Sequence, residues 1–393
     1  MVKIKKIKIL RNFDSRGQEV IKIGICDQND HWFFSCPGSG KSKGKKEVIS
    51  KDFQEIDFDL ISKLEGKAFS SLNDLEDELF ALDGSPDKSK IGGNIFLALS
   101  LSFARAFAWS EGLELWEVLK HEYKLDFPQK LPLIFSNVIN GGAHVENNLD
   151  IQEYMVVLKY KGPETVRELV NFYRSLGDFL REKYSIRILP IGDESGYALD
   201  FENNLLPLVY MKNVKDKFSY DFEFALDCAA NYFYHHDGHY FFETQKLNSL
   251  ELTQVYLSYK EKIPELNFIE DPFQEEDFEG FKELKVTQKF KIIGDDLTVT
   301  NPQITKDILE KNLIDGIIIK ANQVGSLRET FETIKLAKEK NLLVIISHRS
   351  GETEDPFLIH IAKACGADAL KIGVPIKERV SKFNELVRIY GEF

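Results

Sequence analysis

The chain has 393 residues, with 51 Lys and Arg against 63 Asp and Glu, a formal net charge of −12. That length exceeds what one hydrophobic core usually organises and predicts two domains, while the acidic balance argues against a protein that coats nucleic acid or an anionic membrane. Cys26, Cys36, Cys228 and Cys365 are too scattered for metal-ligand spacing and too few for a disulfide framework, so a reducing, cytoplasmic location is expected.

The opening segment, MVKIKKIKIL, carries basic residues but neither a continuous apolar run nor a small-residue cleavage pattern, and reads as a strand rather than a signal peptide. A turn at Asp14-Ser15-Arg16-Gly17 leads to a second strand, Val20 to Cys26, and a third, His31 to Cys36, which together make a meander. PGSGKSKGKK follows at 37–46 and, with Gly, Ser and Lys in place of apolar residues, is expected to be a solvated, mobile loop. Helical patterns run from about Ser71 to Leu82 and from Ile91 to Lys120. The most apolar part, Asn94 to Trp109, is interrupted by Arg105 and falls short of the roughly 20 residues a bilayer requires, so no membrane span is expected. Strands followed by helices predict a small α+β domain over residues 1–124.

From residue 125 to 393 the pattern changes to short apolar runs that end in polar residues and alternate with helical stretches. The runs FEFALD, LNFIED, KIIGDD, GIIIKAN, LLVIISHRS and ALKIG predict buried parallel strands, and this many in succession favours a closed α/β barrel. Each run ends in a residue able to ligate metal, carry a proton or hold an anion: Asp227, Glu270, Asp295, Lys320, His348 with Arg349, and Lys371. The C-terminal strand ends of such a barrel converge on one mouth, where chemistry is built.

Asp227, Glu270 and Asp295 offer hard oxygen ligands, which suit Mg²⁺ better than Zn²⁺. Any one of them alone could simply cap the following helix. Three on neighbouring strands repel one another unless a cation intervenes. Lys320 ends the most apolar run, where desolvation and metal charge are both expected to lower its pKa and free the amine as a base.

Around these residues stand NVINGGAH (137–144), QEYM (152–155), GDESG (192–196), ALDCAA (225–230), IEDPF (269–273), GDDLTVTNP (294–302), KANQVGS (320–326), SHRSGETED (347–355) and KIGVP (371–375). In this order the segments resemble the signatures of the enolase family, over nearly the whole chain. The resemblance implies a small α+β domain followed by an eight-stranded α/β, TIM-like barrel whose first elements depart from strict alternation. It also implies a homodimer or higher homo-oligomer that reversibly dehydrates 2-phosphoglycerate to phosphoenolpyruvate in glycolysis and gluconeogenesis, with two Mg²⁺ ions per active site. Carried over by position, the metal carboxylates fall on Asp227, Glu270 and Asp295, and a serine on the second metal falls on Ser42. The base falls on Lys320 and the acid on Glu194, with Glu153 beside it. Lys371 and the second metal would hold the substrate carboxylate, while Arg349 and Ser350 would clamp its phosphate. His144 and His348 match active-site histidines, and Gln152 precedes Glu153 as in the family.

Lys320 and Glu194 are accordingly expected to have pKa values moved toward neutrality, as a base and acid on opposite faces of the substrate. The chain departs from the family at Ser195, where glycine is usual, in the loop Ser39-Gly40-Lys41-Ser42-Lys43-Gly44, and at Glu19-Val20-Ile21, where Pro-Thr-Val normally stands. Gly40-Lys41-Ser42 also resembles the end of a P-loop, but that motif needs glycine where Ser35 stands. Two other readings are a silent relative on the same scaffold, against which every ligand and proton-transfer position is retained, and a related proton-abstracting enzyme acting on another carboxylate, which Arg349 and Ser350 disfavour.

Overall fold

The computed structural model describes residues 1–40 and 46–391. Strands Lys6–Phe13, Glu19–Cys26 and Trp32–Ser35 form an antiparallel meander in that order. Ile21, Ile23 and Ile25 of the central strand are buried, on the side that takes helix Gly93–Glu111; Ser102 of that helix donates to the Ile23 carbonyl at 2.9 Å. Helix Leu72–Asp83 starts at Ser71, whose side chain accepts from the Asp74 N–H. The single helical stretch expected from Ile91 to Lys120 is two helices, Gly93–Glu111 and Leu115–Glu122. Gly112, at φ 67°, takes the left-handed cap that ends the first of them.

The barrel closes through eight strands: Leu133–Asn140, Glu153–Lys159, Glu223–Asp227, Leu266–Glu270, Lys291–Gly294, Gly316–Ile319, Leu343–Ser347 and Ala369–Lys371. The eighth pairs with the first, Ala369 opposite Leu133. Pairing is parallel throughout except that the second strand runs antiparallel to both the first and the third. This reversal puts the beginning of the second strand, not its end, at the mouth, with Glu153 opposite Asp227. The interior is filled by Phe135, Met155, Val157, Phe268, Ile293, Ile318 and Ile345 among others, so the barrel is a packed core that closes off the mouth from below. Among the described residues no helix is long and apolar enough to cross a membrane.

The two halves meet closely. A Cβ on Gly325, whose φ is +75°, would lie 2.7 Å from Gly93 Cα, so this approach needs glycine. Nearby, the buried Glu76 accepts from Ser100 Oγ (2.9 Å), Tyr123 OH (2.9 Å) and the backbone N–H groups of Leu327 and Arg328 (3.0 Å each). The last two are first-turn donors of the barrel helix Leu327–Glu339, which would otherwise lack partners, and an anion is favoured at that end of a helix. Glu76→Ala strands all these donors and is expected to destabilise the protein by about 3 kcal/mol, with Glu76→Gln recovering part of the loss. Urea unfolding measures this; a change below about 1 kcal/mol would mean that water replaces the carboxylate at no cost.

Candidate active site

The mouth of the barrel holds one polar cavity, lined in part by Asp227, Asp295, Lys320, Arg349 and Lys371 from the strand ends. His144, Gln152, Glu153, Glu194, His348 and Ser350 reach the same space, and Glu270 adjoins it through Lys371. All the predicted site residues that lie among the described ones are thus brought together. Ser42, with Lys41 and Lys43, lies outside the described residues.

On one side, carboxylates and ammonium groups alternate. Lys371 Nζ donates to Asp227 Oδ2 at 2.7 Å and to both Glu270 oxygens at 2.8 Å, and lies 3.3 Å from Glu153 Oε2. Burial would lower its pKa, but Asp227, Glu153 and Glu270 outweigh burial and hold it well above its ordinary value. Lys320 Nζ pairs with Asp295 Oδ2. Burial acts on Lys320 in the expected direction, yet the adjoining Asp295 carboxylate reverses the result and raises its pKa. The expectation of a lowered pKa is therefore corrected for this arrangement, because a contact ion pair outweighs desolvation.

Asp295 also accepts from Gln323 Nε2 at 3.0 Å, and Gln323 is itself held by Thr300 Oγ1 at 2.7 Å. Asp271 and Asp296 were not among the predicted ligands, although IEDPF and GDDLTVTNP contain them. Asp271, Asp295 and Asp296 offer atoms within 4.8 Å of one another. Asp271 accepts from the backbone N–H groups of Asp295 (3.0 Å) and Asp296 (2.7 Å), so it also braces the loop. Burial and then Asp295 push Asp296 up to about 7. Among the described residues lining the cavity, six carboxylates (Glu153, Glu194, Asp227, Asp271, Asp295, Asp296) face three cations (Lys320, Arg349, Lys371). Oxygen donors with an excess of negative charge fit a hard divalent cation.

Across the cavity, His144, Glu153 and Glu194 lie within 4.8 Å of one another. Asn137 Nδ2 donates to Glu194 Oε2 at 3.1 Å, and His348 Nε2 faces Oε1 at 3.6 Å. Burial would raise Glu194, but His348, His144, Arg379 and Lys371 outweigh it and hold this carboxyl well below its usual range. Glu153 goes the other way, raised well above that range by burial and by Glu194. The two carboxyls are shifted in opposite directions, Glu153 up and Glu194 down, whereas Glu194 was expected to move toward neutrality. Two like charges this close oppose each other's ionisation, and the neighbouring cations act most strongly on Glu194.

The remaining wall is shared with the N-terminal domain. Arg349 donates to Asn322 Oδ1 (3.2 Å) and to Glu47 (3.2 Å to Oε1), while Arg16 Nη1 reaches Ser350 Oγ at 3.5 Å. Ser39 and Gly351 exchange backbone hydrogen bonds of 2.7 and 2.9 Å. Among the described residues the first helix after Gly40 is Phe53–Glu55, a single 3-10 turn rather than the long helix that a P-loop opens.

Ser195, beside Glu194, is fully buried with φ 67°, and its Oγ has no hydrogen-bond partner. A left-handed serine costs roughly 1–2 kcal/mol, and a buried, unpaired hydroxyl adds to that. Ser195→Gly gives back about 0.4–1 kcal/mol through the freer unfolded chain, so a net gain of about 1 kcal/mol is expected. Thermal unfolding reads it as a raised Tm; a lowered Tm would show that the Ser195 side chain packs favourably.

Residues 4–119 match the family model described as the enolase N-terminal domain, and residues 128–393 match that of the enolase C-terminal TIM barrel domain. The chain is 33% identical over 414 residues to a protein named enolase from Elusimicrobium minutum, covering 100% of this chain and 96% of that one. It is 33% identical over 413 residues to the enolase of Methanopyrus kandleri, with 99% and 96% covered. To that of Ehrlichia chaffeensis it is 35% identical over 412 residues, again with 99% and 96% covered.

Proposed function

We propose, from the premise that the chain belongs to the enolase family, that it dehydrates 2-phosphoglycerate reversibly to phosphoenolpyruvate. The observation that carries this reading is the division of one cavity between an ammonium and carboxylate side, with Lys320, and a paired-carboxyl side, with Glu153 and Glu194.

The C2 proton of the substrate is weakly acidic because it adjoins an ionised carboxylate, and its removal makes that carboxylate dianionic. Mg²⁺, two ions per site held by Asp227, Glu270 and Asp295 with Ser42 on the second, would supply positive charge against the dianion and disfavour the ammonium form of Lys320. Lys320 then takes the C2 proton as a neutral amine. Glu194, with Glu153 as its neighbour and proton reserve, gives a proton to the departing 3-hydroxyl, which leaves as water. Lys371, Gln152 and His144 bind the substrate carboxylate side. Arg349 and Ser350 hold the phosphate, and Arg349 exchanges its contact with Glu47 for that anion. The four cysteines are buried and unpaired, in keeping with a reducing cytoplasm.

Product formation, followed by the ultraviolet absorbance of the new conjugated double bond, tests the proposal. Activity is expected with Mg²⁺, is expected to vanish after exhaustive EDTA dialysis, and is expected to return when Mg²⁺ is restored. Undiminished activity after dialysis would refute the metal assignment, and no activity under any metal would refute the substrate.

A further inference from the structure

The acid side of the cavity contains a buried guanidinium with no part in the chemistry above. Arg379 lies in the short turn Lys377–Arg379 after the eighth strand and is wholly buried. Its Nε–H donates to His348 Nδ1 at 3.1 Å. Its Nη2 donates to the carbonyls of Arg349 and Ser350 at 3.3 Å each, and Nη1 pairs with Glu378. The Gly373 N–H also points at His348 Nδ1, at 3.5 Å. A Cβ on Gly373 would lie 2.8 Å from Arg379 Cδ and Nε, so the glycine of KIGVP leaves room for the guanidinium to reach the imidazole.

A guanidinium donates and never accepts. The His348 nitrogen it touches must therefore present a lone pair, and in the neutral ring the proton then sits on Nε2. That nitrogen is the one facing Glu194 Oε1 at 3.6 Å, while Oε2 already accepts from Asn137. The charged groups that act on His348 are Glu194, Arg379, Lys371 and Lys320. A second proton on the ring is opposed by burial, which lowers His348 well below its ordinary range, and by the Arg379 N–H that already occupies Nδ1.

We infer that Arg379 is a positioning residue for the dehydration proposed above, on which this inference rests: it fixes His348 as the Nε2–H tautomer aimed at Glu194. In the acid step the proton shared by the Glu153–Glu194 pair leaves from Glu194: the Glu194 O–H bond breaks and an O–H bond forms on the leaving oxygen. The C3–O electron pair departs with that oxygen as water, and the pair freed at C2 becomes the C2–C3 double bond. The carboxylate left on Glu194 then has an N–H donor facing each oxygen. With the other tautomer, a lone pair on Nε2 would face the new negative charge and oppose the step. Proton removal at C2, on the Lys320 side, does not depend on this contact.

Nitrogen NMR of the whole protein, with ¹⁵N-labelled histidine and His348 assigned through His348→Gln, tests the tautomer directly. The wild type is expected to show His348 neutral and protonated on Nε2; a signal for protonated Nδ1 would overturn the inference whatever the variants do. Arg379→Met removes the donors without a large change in volume, and Arg379→Lys restores a donor. The first is expected to give mixed tautomers and about a 10–100-fold loss of dehydration at saturating substrate, with exchange of the C2 proton into solvent changed less than about threefold. Arg379→Lys should recover part of the dehydration. Equal loss of exchange and dehydration, or an unchanged tautomer in Arg379→Met, would show Arg379 to be purely structural. If Arg379→Met does not fold, the wild-type spectrum decides. An inactive wild type would sink the proposed reaction, while the tautomer would still be read independently.

Discussion

Lys320→Ala is expected to abolish both turnover and exchange of the C2 proton with solvent, with a loss of at least about 10³-fold, within the range for removing a positioned base. The reason is geometric. Lys320 sits at the mouth end of the sixth strand, its backbone N–H held by Thr300 Oγ1 at 2.9 Å and its Nζ paired with Asp295. Lys371, the other ammonium among the described residues of the cavity, is committed to Asp227 and Glu270 and is not placed to substitute for it. Glu194→Gln is expected to block dehydration while leaving measurable exchange, because the amide has no proton of suitable acidity to give. Deuterium incorporation at C2, followed by mass spectrometry alongside product formation, separates the two. Parallel loss of exchange and dehydration in both variants would defeat the assignment of separate base and acid.

Glu270→Gln should also remove activity, by at least about 100-fold, by weakening the metal rather than the protein. Glu270 is buried among like charges, and burial together with Asp227 pushes its carboxyl well above the ordinary range. At neutral pH a carboxyl raised in this way costs the folded state stability to ionise, so the isosteric amide relieves that cost while giving up the bonds to Lys371. Little net change in stability is expected. The checks are Mg²⁺ titration of activity, unfolding monitored by circular dichroism, and isothermal calorimetry of Mg²⁺ binding. Wild-type Mg²⁺ affinity in a folded Glu270→Gln protein would remove Glu270 from the ligand set.

Much of the arrangement was already written along the chain. FEFALD, LNFIED and GIIIK are apolar on both faces and end in a charged residue, a pattern that only a strand buried on both sides and opening at a polar mouth satisfies. From this alone Asp227, Glu270 and Lys320 could be placed at one end of a parallel barrel. The loop 37–46 was legible as solvated by its composition, and the family could be recognised from the spacing and order of the motifs.

What the sequence did not determine depends on partners distant in the chain. Glu153 begins its strand, so the rule that sites lie at strand ends would pass over it; only the antiparallel pairing with Asp227 turns its strand's start toward the mouth. Arg379 follows the last motif with no local signal, and acquires meaning because the eighth strand pairs beside the seventh and brings it to His348. The pKa shifts of Lys320 and Glu194 run opposite to expectation for the same reason. A pKa reflects the sum of burial and neighbouring charges at a few ångströms, and residue type and spacing fix the burial far better than they fix which counter-charge, Asp295 for Lys320 or Arg379 and the imidazoles for Glu194, comes into contact. Strand, mouth and family were therefore determined by local pattern, whereas the direction of each pKa shift was decided only by tertiary packing.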